Sequence, residues 1–432
     1  MVSMAIEYVL FRELVKDIPS TTYATHDLYM HPAKFIPQVV RYVINRYTRS
    51  GDWLFDPFAG YGTVAIEASL TGRNCVVWDL NPMLYLFISA SLYNEPVSLS
   101  DFDVDFNYDE PFHPRWSNIT YWHPPEFYSA LSRMWGYWHD CVDPKLKPLI
   151  AIPLLKVTRY FSYSDEKIAK LYRSKYAEEK VRKLLTSNWR VKLEKMYWDY
   201  ARRVVERVRE YQRYNPRGIE VVVLGSDERI FTSRYIVVDA IKEKLDRDVD
   251  VVITSPPYLQ AQEYIRSFKL ELAWLGFSEN FISLLSKHEI PYNNIEEGHI
   301  SSKTYEVFKR EVEKLKHDKL LELYVSYFNS LAMFLNNNHD RVRNVIAFFV
   351  GPVKVRNIRI PIDVIIKEHL EYLGWIHEKT LVDTIVARRL FKVDVNPATG
   401  IRDERTPTEH LLIMRRGTRQ RIEMLTSMLF SI

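Results

Sequence analysis

Val249-Asp250-Val251-Val252-Ile253 is short, β-branched and almost unbroken in its apolar character. That is the pattern of a strand buried on both faces of a parallel sheet. Similar runs occur at Trp53-Leu54-Phe55-Asp56, at Asn74-Cys75-Val76-Val77-Trp78-Asp79, at Glu220-Val221-Val222-Val223-Leu224 and over 344–350. A helix through Pro37–Ile44 precedes the first of them. A glycine loop and a helix through Val64–Ala68 follow it, with Gly72 as the C-cap. This is a βαβ unit with loops of ordinary length. A helix over 361–373 is closed by Gly374, and two strands near 376–382 and 409–415 read as an antiparallel ending.

The α/β pattern is broken once. Residues 101–109 are acidic and irregular, 112–140 are crowded with Trp, Tyr and His, and 178–217 read as a long basic amphipathic helix or helix pair. The predicted organisation is a first part of the catalytic domain over 1–99, a mostly helical insertion over 100–217, and a second part over 218–432. Within the last, 276–340 form a lid or recognition segment with a loop at Pro291-Tyr292-Asn293-Asn294.

A chain of 432 residues, 47% hydrophobic, can bury a core domain plus an insertion. No apolar run approaches the roughly 20 residues needed to span a bilayer. Met1–Glu7 lack the basic segment of a signal peptide. The two cysteines, Cys75 and Cys141, belong to no CxxC or Cys/His cluster, so a cytoplasmic protein with no structural metal is expected. A net charge of +4 permits nucleic-acid binding without demanding it. The basic residues of 178–217 fit either a solvated helix face or a phosphate-contacting surface, which makes this insertion a candidate target-recognition region.

The chemistry lies at strand ends, where open α/β sheets bind ligands. Thr254-Ser255-Pro256-Pro257-Tyr258 follows the 249–253 strand. Two prolines fix two φ angles and remove two donors, so the loop is stiff. The Ser255 hydroxyl, the Pro256 carbonyl and the Tyr258 ring suit a planar base bearing an exocyclic amine. Taken alone, the tripeptide Pro-Pro-Tyr is a weak signal and is more often a turn with a packed tyrosine. Asp56-Pro57-Phe58-Ala59-Gly60-Tyr61-Gly62-Thr63 closes the first strand and opens a helix. Gly60 and Gly62 allow close approach of a ligand, and the helix amides face it. The spacing is neither GxGxxG nor a P-loop, which disfavours dinucleotides and nucleoside triphosphates. An acid at the head of the loop suits a cationic ligand, such as the amino-acid end of S-adenosylmethionine. Asp79 is placed to accept from ribose hydroxyls, and Asp227, after the third strand, from an adenine amine. Singly, each acid is an ordinary strand-end residue; together, three such ends form an adenosine-type site.

These residues resemble the S-adenosylmethionine-dependent amino-methyltransferases of DNA, the N4-cytosine and N6-adenine enzymes of restriction–modification systems. His31-Pro32-Ala33-Lys34-Phe35-Ile36-Pro37 looks like the segment that wraps the methionine end of the cofactor. Asp56–Thr63 looks like the cofactor loop, with Tyr61 a departure at a usually small position that is expected to narrow the pocket. Asp79-Leu80-Asn81-Pro82 looks like the ribose-binding strand end, and Thr254–Tyr258 like the catalytic loop in its Ser-Pro-Pro-Tyr form. The resemblance implies a Rossmann-like methyltransferase fold: a mostly parallel, doubly wound seven-stranded sheet with an antiparallel final strand and a helical insertion. It implies Ser255, Pro256, Pro257 and Tyr258 as catalytic residues. The cofactor residues it implies are Lys34, Asp56, Phe58, Gly60, Gly62, Thr63, Asp79, Asn81, Asp227 and Thr254.

The implied reaction moves the sulfonium methyl of S-adenosylmethionine onto the N4 amine of a cytosine flipped out of double-stranded DNA, with no metal and no covalent nucleophile. Methylation of cytosine carbon 5 needs a cysteine after a proline; here Cys75 follows Asn74 and Cys141 follows Asp140. A cognate restriction endonuclease is the further partner implied. Adenine N6 is the alternative target; an RNA amine and a non-catalytic nucleic-acid-binding role are the remaining ones.

Overall fold

The computed structural model describes residues 6–32, 34–168, 170–224, 242–259, 263–291, 298–384 and 408–417. The strands are β1 (Ile6–Val9), β2 (Trp53–Asp56), β3 (Asn74–Trp78), β4 (Val221–Leu224), β5 (Val249–Thr254), β6 (Val342–Phe349), β7 (Val353–Val355), β8 (Ile358–Ile360), β9 (Trp375–Thr384) and β10 (Thr408–Arg416). Eight of them form one sheet in the order β1-β9-β10-β6-β5-β2-β3-β4, while β7 and β8 make a separate hairpin. Only β10 runs against its neighbours in the large sheet, pairing antiparallel with both β6 and β9. This is the Rossmann-like arrangement, with an eighth strand beyond the seven expected. The extra strand is β1, parallel to β9 at the sheet edge. It has four residues, with Ile6 53% and Tyr8 77% exposed, so it leaves no buried run to read in the sequence.

Every residue of β5 is buried, as its composition requires. The period of two along a strand divides its side chains between the faces. Val252 packs with Phe55, Val76, Ile346 and Leu412 on one face. Val251 and Ile253 pack with Leu54, Val77, Val345 and Ala347 on the other. The chain proceeds from β2 to β3 and β4 on one side and to β5 and β6 on the other, so the strand order reverses between β2 and β5. Register pairs Phe55 with Val252. Asp56 and Thr254 therefore end adjacent strands, and the crevice opens there.

The helices over Pro37–Tyr47 and Thr63–Thr71 cover the Val251 face. The first begins with proline in its opening turn, and the second ends at Gly72, whose φ of +71° is the left-handed cap expected from sequence. The region 100–217 is largely helical, with helices at Pro125–Asp140, Lys147–Tyr160, Lys175–Leu185 and Trp189–Arg213. Part of its aromatic content is core: Trp135 and Trp138 are fully buried, and their indole N–H groups donate to the Thr158 hydroxyl (2.9 Å) and the Lys147 carbonyl (3.0 Å). This core runs on without a break into the helices Met83–Ser91 and Tyr264–Trp274. A buried ion pair, Arg159 to Glu271 at 2.8 Å, joins the insertion to the second of these.

Candidate active site

A cleft with about 940 Å³ of free space, including its open mouth, lies over the ends of β2, β3 and β5. Lys34, Phe58, Gly60, Asp79, Asn81, Ser255 and Pro257 line it, joined by His31 and Glu289. Its two halves are joined directly, since the Thr254 hydroxyl donates to Asp56 Oδ1 at 2.7 Å. Asp56 is 1% exposed and lies behind the cleft wall, where it also accepts from the Phe58 amide at 3.2 Å. The head of the glycine loop and the head of the Ser-Pro-Pro-Tyr loop thus share one carboxyl group.

Asp79 holds the same loop from the next strand. Its Oδ2 accepts from the Gly60 amide (2.8 Å) and its Oδ1 from the Asn81 amide (2.7 Å). The Asn81 side chain in turn accepts from the Met83 amide at 3.1 Å and starts the Met83–Ser91 helix. At Gly60 the backbone φ is +55°, and a Cβ would meet His31 Cε1 at 3.0 Å. Gly62 has φ +88°, and a Cβ would come within 2.7 Å of Ile88 Cγ1. Both glycines are therefore needed for close packing as well as for the left-handed turn. Thr63 reaches the Phe35 carbonyl at 3.5 Å, fastening the 31–37 segment to the loop.

Tyr61 is one of the residues that line the cleft. Its ring is 2% exposed, and its hydroxyl donates to the Thr25 carbonyl (2.7 Å) and accepts from the Leu28 amide (3.1 Å). The ring is directed into the core, where its face carries the Lys34 ammonium 3.6 Å from its centroid. Tyr61 is a platform beneath the cleft.

The cleft is electrically negative in its carboxylate wall. Burial pushes Asp56 up to about 7, with the neighbouring Asp79 adding to the shift. Burial likewise takes Asp79 to about 6 and Glu289 to about 7. Each of these acids titrates more easily beside a cation, which would restore its charge. Opposite them, burial lowers Lys34 to about 7. His31 is held near 4 by burial; with its Nδ1–H donating to the Pro32 carbonyl at 2.8 Å, it is neutral and offers Nε2 as an acceptor.

Ser255 and Pro257 face the cleft, while Pro256 and Tyr258 are not among its lining residues. The Tyr258 hydroxyl donates to Glu409 of β10 at 2.6 Å, which fixes the ring at the end of the loop. Asp227 lies outside the described residues. Glu289 was not foreseen from the sequence. It follows the Glu279–His288 helix and accepts from the Ile265 amide at 2.8 Å, at the start of the Tyr264–Trp274 helix. Nothing in the local pattern around it differs from a loop acid. Among the described residues no group of three His, Cys, Asp or Glu side chains gathers to hold a metal, and no helix is long and apolar enough to cross a membrane.

A doubly wound sheet with a glycine loop at its reversal point, and a carboxylate at the next strand end, defines a methyltransferase-type α/β domain. The sequence comparisons narrow that class. Residues 14–89, which contain the glycine loop and Asp79, match the family model described as DNA methylase. The chain is 22% identical over 303 residues to the type II methyltransferase M.BsoBI of Geobacillus stearothermophilus, across 65% of this chain and 58% of that protein. It is 24% identical over 285 residues to the type II methyltransferase M.MvaI of Kocuria varians, across 59% of this chain and 58% of that protein. A shorter stretch of 59 residues is 39% identical to the type II methyltransferase M.MthZI of Methanothermobacter thermautotrophicus, covering 14% of this chain and 16% of that one. The longest of these matches thus spans 58% of its relative's length. The resemblance to the DNA amino-methyltransferases of restriction–modification systems is borne out by these similarities.

Proposed function

We propose that the chain is a DNA methyltransferase that uses S-adenosylmethionine to methylate the exocyclic N4 amine of a flipped-out cytosine. The observation that carries this reading is the 2.7 Å hydrogen bond from Thr254 to Asp56, which unites a donor-binding loop with an amine-binding loop in one cleft. The residues present fit the cofactor: the glycine cradle at Gly60 admits its backbone-close approach, and the Asp79 and Glu289 carboxyl groups line the cleft with Asp56 behind them. When bound, S-adenosylmethionine supplies an electrophilic sulfonium methyl.

The chain's own residues then do three things. Asp79, with lone pairs left beyond its two backbone bonds, accepts from ribose hydroxyls. Lys34 is available to a carboxylate, and Asp56 lends negative charge from behind the loop. Ser255 and the Pro256 carbonyl accept the two hydrogens of the amine, which turns its lone pair out of ring conjugation and towards the methyl. Such positioning contributes several kcal/mol to the lowering of a barrier. A base inside a duplex cannot reach this cleft, so it must be extruded at a cost of a few kcal/mol. Tyr258 stacks on the extruded base in this proposal, and a cognate restriction endonuclease is the partner that goes with the activity.

Adenine N6 is the second reading, since the family model covers both amines in one description and the loop chemistry serves either. Nucleoside mass spectrometry of DNA and RNA from cells expressing the protein tests the proposal. N4-methylcytosine in DNA is the expected product. N6-methyladenine transfers the reading to the alternative, and a modified base confined to RNA overturns both.

A further inference from the structure

Beside the first cleft lies a second, broader one of about 1540 Å³, between the 12–36 segment and the Lys147–Tyr160 and Trp189–Arg213 helices. His31, Lys34 and Phe35 line both, so the two openings share a wall. Its lining has five Lys and Arg residues, Arg12, Lys34, Lys156, Arg159 and Arg203, against two carboxylates, Asp27 and Glu166.

The two acids are already engaged. Asp27 is paired with Arg203 and lies 3.9 Å from Arg207; Glu166 is paired with Lys180 at 3.0 Å. Arg159 is satisfied internally by Glu271. Among the described residues neither Lys34 nor Lys156 has a carboxylate partner, and each ammonium sits over a tyrosine ring, Tyr61 at 3.6 Å and Tyr200 at 5.1 Å. Burial takes Lys156 down to about 8, with Arg203 lowering it further and Asp27 opposing. Burial also lowers Lys34, with Asp27 opposing and Lys156 adding to the fall. Asp27 is itself paired with Arg203, so the lining carries more cations than acids, and an anion would relieve the surplus.

The outer face of the insertion is different. Arg202 and Lys195 pair with Asp199, Arg207 with Glu210, and Arg182 with Glu179, all within a turn of their own helices. Those pairs are solvent-accessible and local to one helix, which is the character of a solvated face.

We infer that this second cleft binds a phosphodiester of the nucleic-acid backbone through Lys156, with Arg203 at its rim, across the His31–Phe35 wall from the first cleft. The inference rests on the reading of the chain as a nucleic-acid amino-methyltransferase and names where the strand is gripped. The Tyr200 and Tyr160 rings in the same wall would face the sugar or an unpaired base.

The test is binding of a fluorescently labelled DNA duplex to the full chain, followed by anisotropy over a range of salt concentrations. Each phosphate contact contributes about 0.9 to the slope of log K against log salt. Lys156→Gln is expected to lower the slope by about 0.9 and Lys156→Arg to keep it. The affinity for S-adenosylmethionine, read by isothermal titration, is expected to be retained in both variants, with at most a gain in Lys156→Gln, where Lys34 is relieved of a neighbouring charge. An unchanged slope in Lys156→Gln overturns the inference, as does a loss confined to S-adenosylmethionine binding. Inorganic phosphate that saturates the site while duplex binding stays the same in Lys156→Gln also overturns it, in favour of a free-phosphate site. A wild-type chain that binds no S-adenosylmethionine defeats the enzymatic reading separately, and the slope comparison still decides the cleft.

Discussion

At the scale of single residues, Ser255 and the two strand-end acids make the sharpest predictions. Ser255 faces the cleft and has no part in the Asp56–Thr254–Asp79 framework, so Ser255→Ala should bind S-adenosylmethionine with wild-type affinity. Its turnover should drop on the order of a hundredfold or more, by comparison with the loss of one positioning hydrogen bond in other sites. Calorimetry and a single-turnover methylation assay read the two quantities apart; full activity would remove Ser255 from its role. The acids predict a pH dependence. Asp56 and Asp79 are raised to about 7 and about 6, and the cationic ligand favours their ionised forms. Protonation of the acids therefore competes with binding below about pH 7, and deprotonation of Lys34, lowered to about 7, competes above it, so affinity for S-adenosylmethionine should peak near pH 7, with proton release on binding near pH 6 and proton uptake near pH 8. Repeating the titration in buffers of different ionisation enthalpy counts those protons. Most of these residues were legible because strand ends and glycine spacing announce them. Glu289 was not, since its importance comes from where the chain folds back, at the start of the Tyr264–Trp274 helix.

At the scale of elements, the parallel strands were legible because burial on both faces leaves an unbroken apolar run, as in Val249–Ile253. The basic stretch over 178–217 was read as a helix or a pair, and it is a pair, broken over 186–188 between Lys175–Leu185 and Trp189–Arg213. Which of its charges are free could not be read from spacing, because the deciding partners come from elsewhere: Asp27 is distant in sequence from Arg203. The same holds for Arg159 and Glu271, which tie the Lys147–Tyr160 helix to the helix that follows the Ser-Pro-Pro-Tyr loop. Both side chains are nearly inaccessible, and removing one leaves a buried charge uncompensated. Arg159→Met should therefore lose about 3–5 kcal/mol of stability. Denaturant unfolding measures it, and a loss under 1 kcal/mol would show that the pair carries little.

At the scale of the whole molecule, the insertion and the sheet share a helix. In Met83–Ser91, Leu84 and Ile88 pack on the sheet, while Met83, Leu86 and Phe87 pack in the core of the insertion. A helix apolar on all sides is a buried one, and here it is shared. Thermal unfolding should accordingly give one calorimetric transition; two resolved transitions would mean that the insertion melts alone. The hydrogen bond from Thr254 to Asp56 has a further consequence for the proposed reaction. A single carboxyl group is bonded to both loops, so whatever the first ligand does to its charge is felt by the second. Thermodynamic linkage then requires the effect to run both ways. A non-reactive analogue of the methyl donor should tighten target DNA, and target DNA should tighten the analogue by the same factor, within the 5–150-fold range typical of such coupling. Two binding isotherms, each run with and without the other ligand, close that cycle, and a coupling of unity would make the two loops independent despite their shared bond.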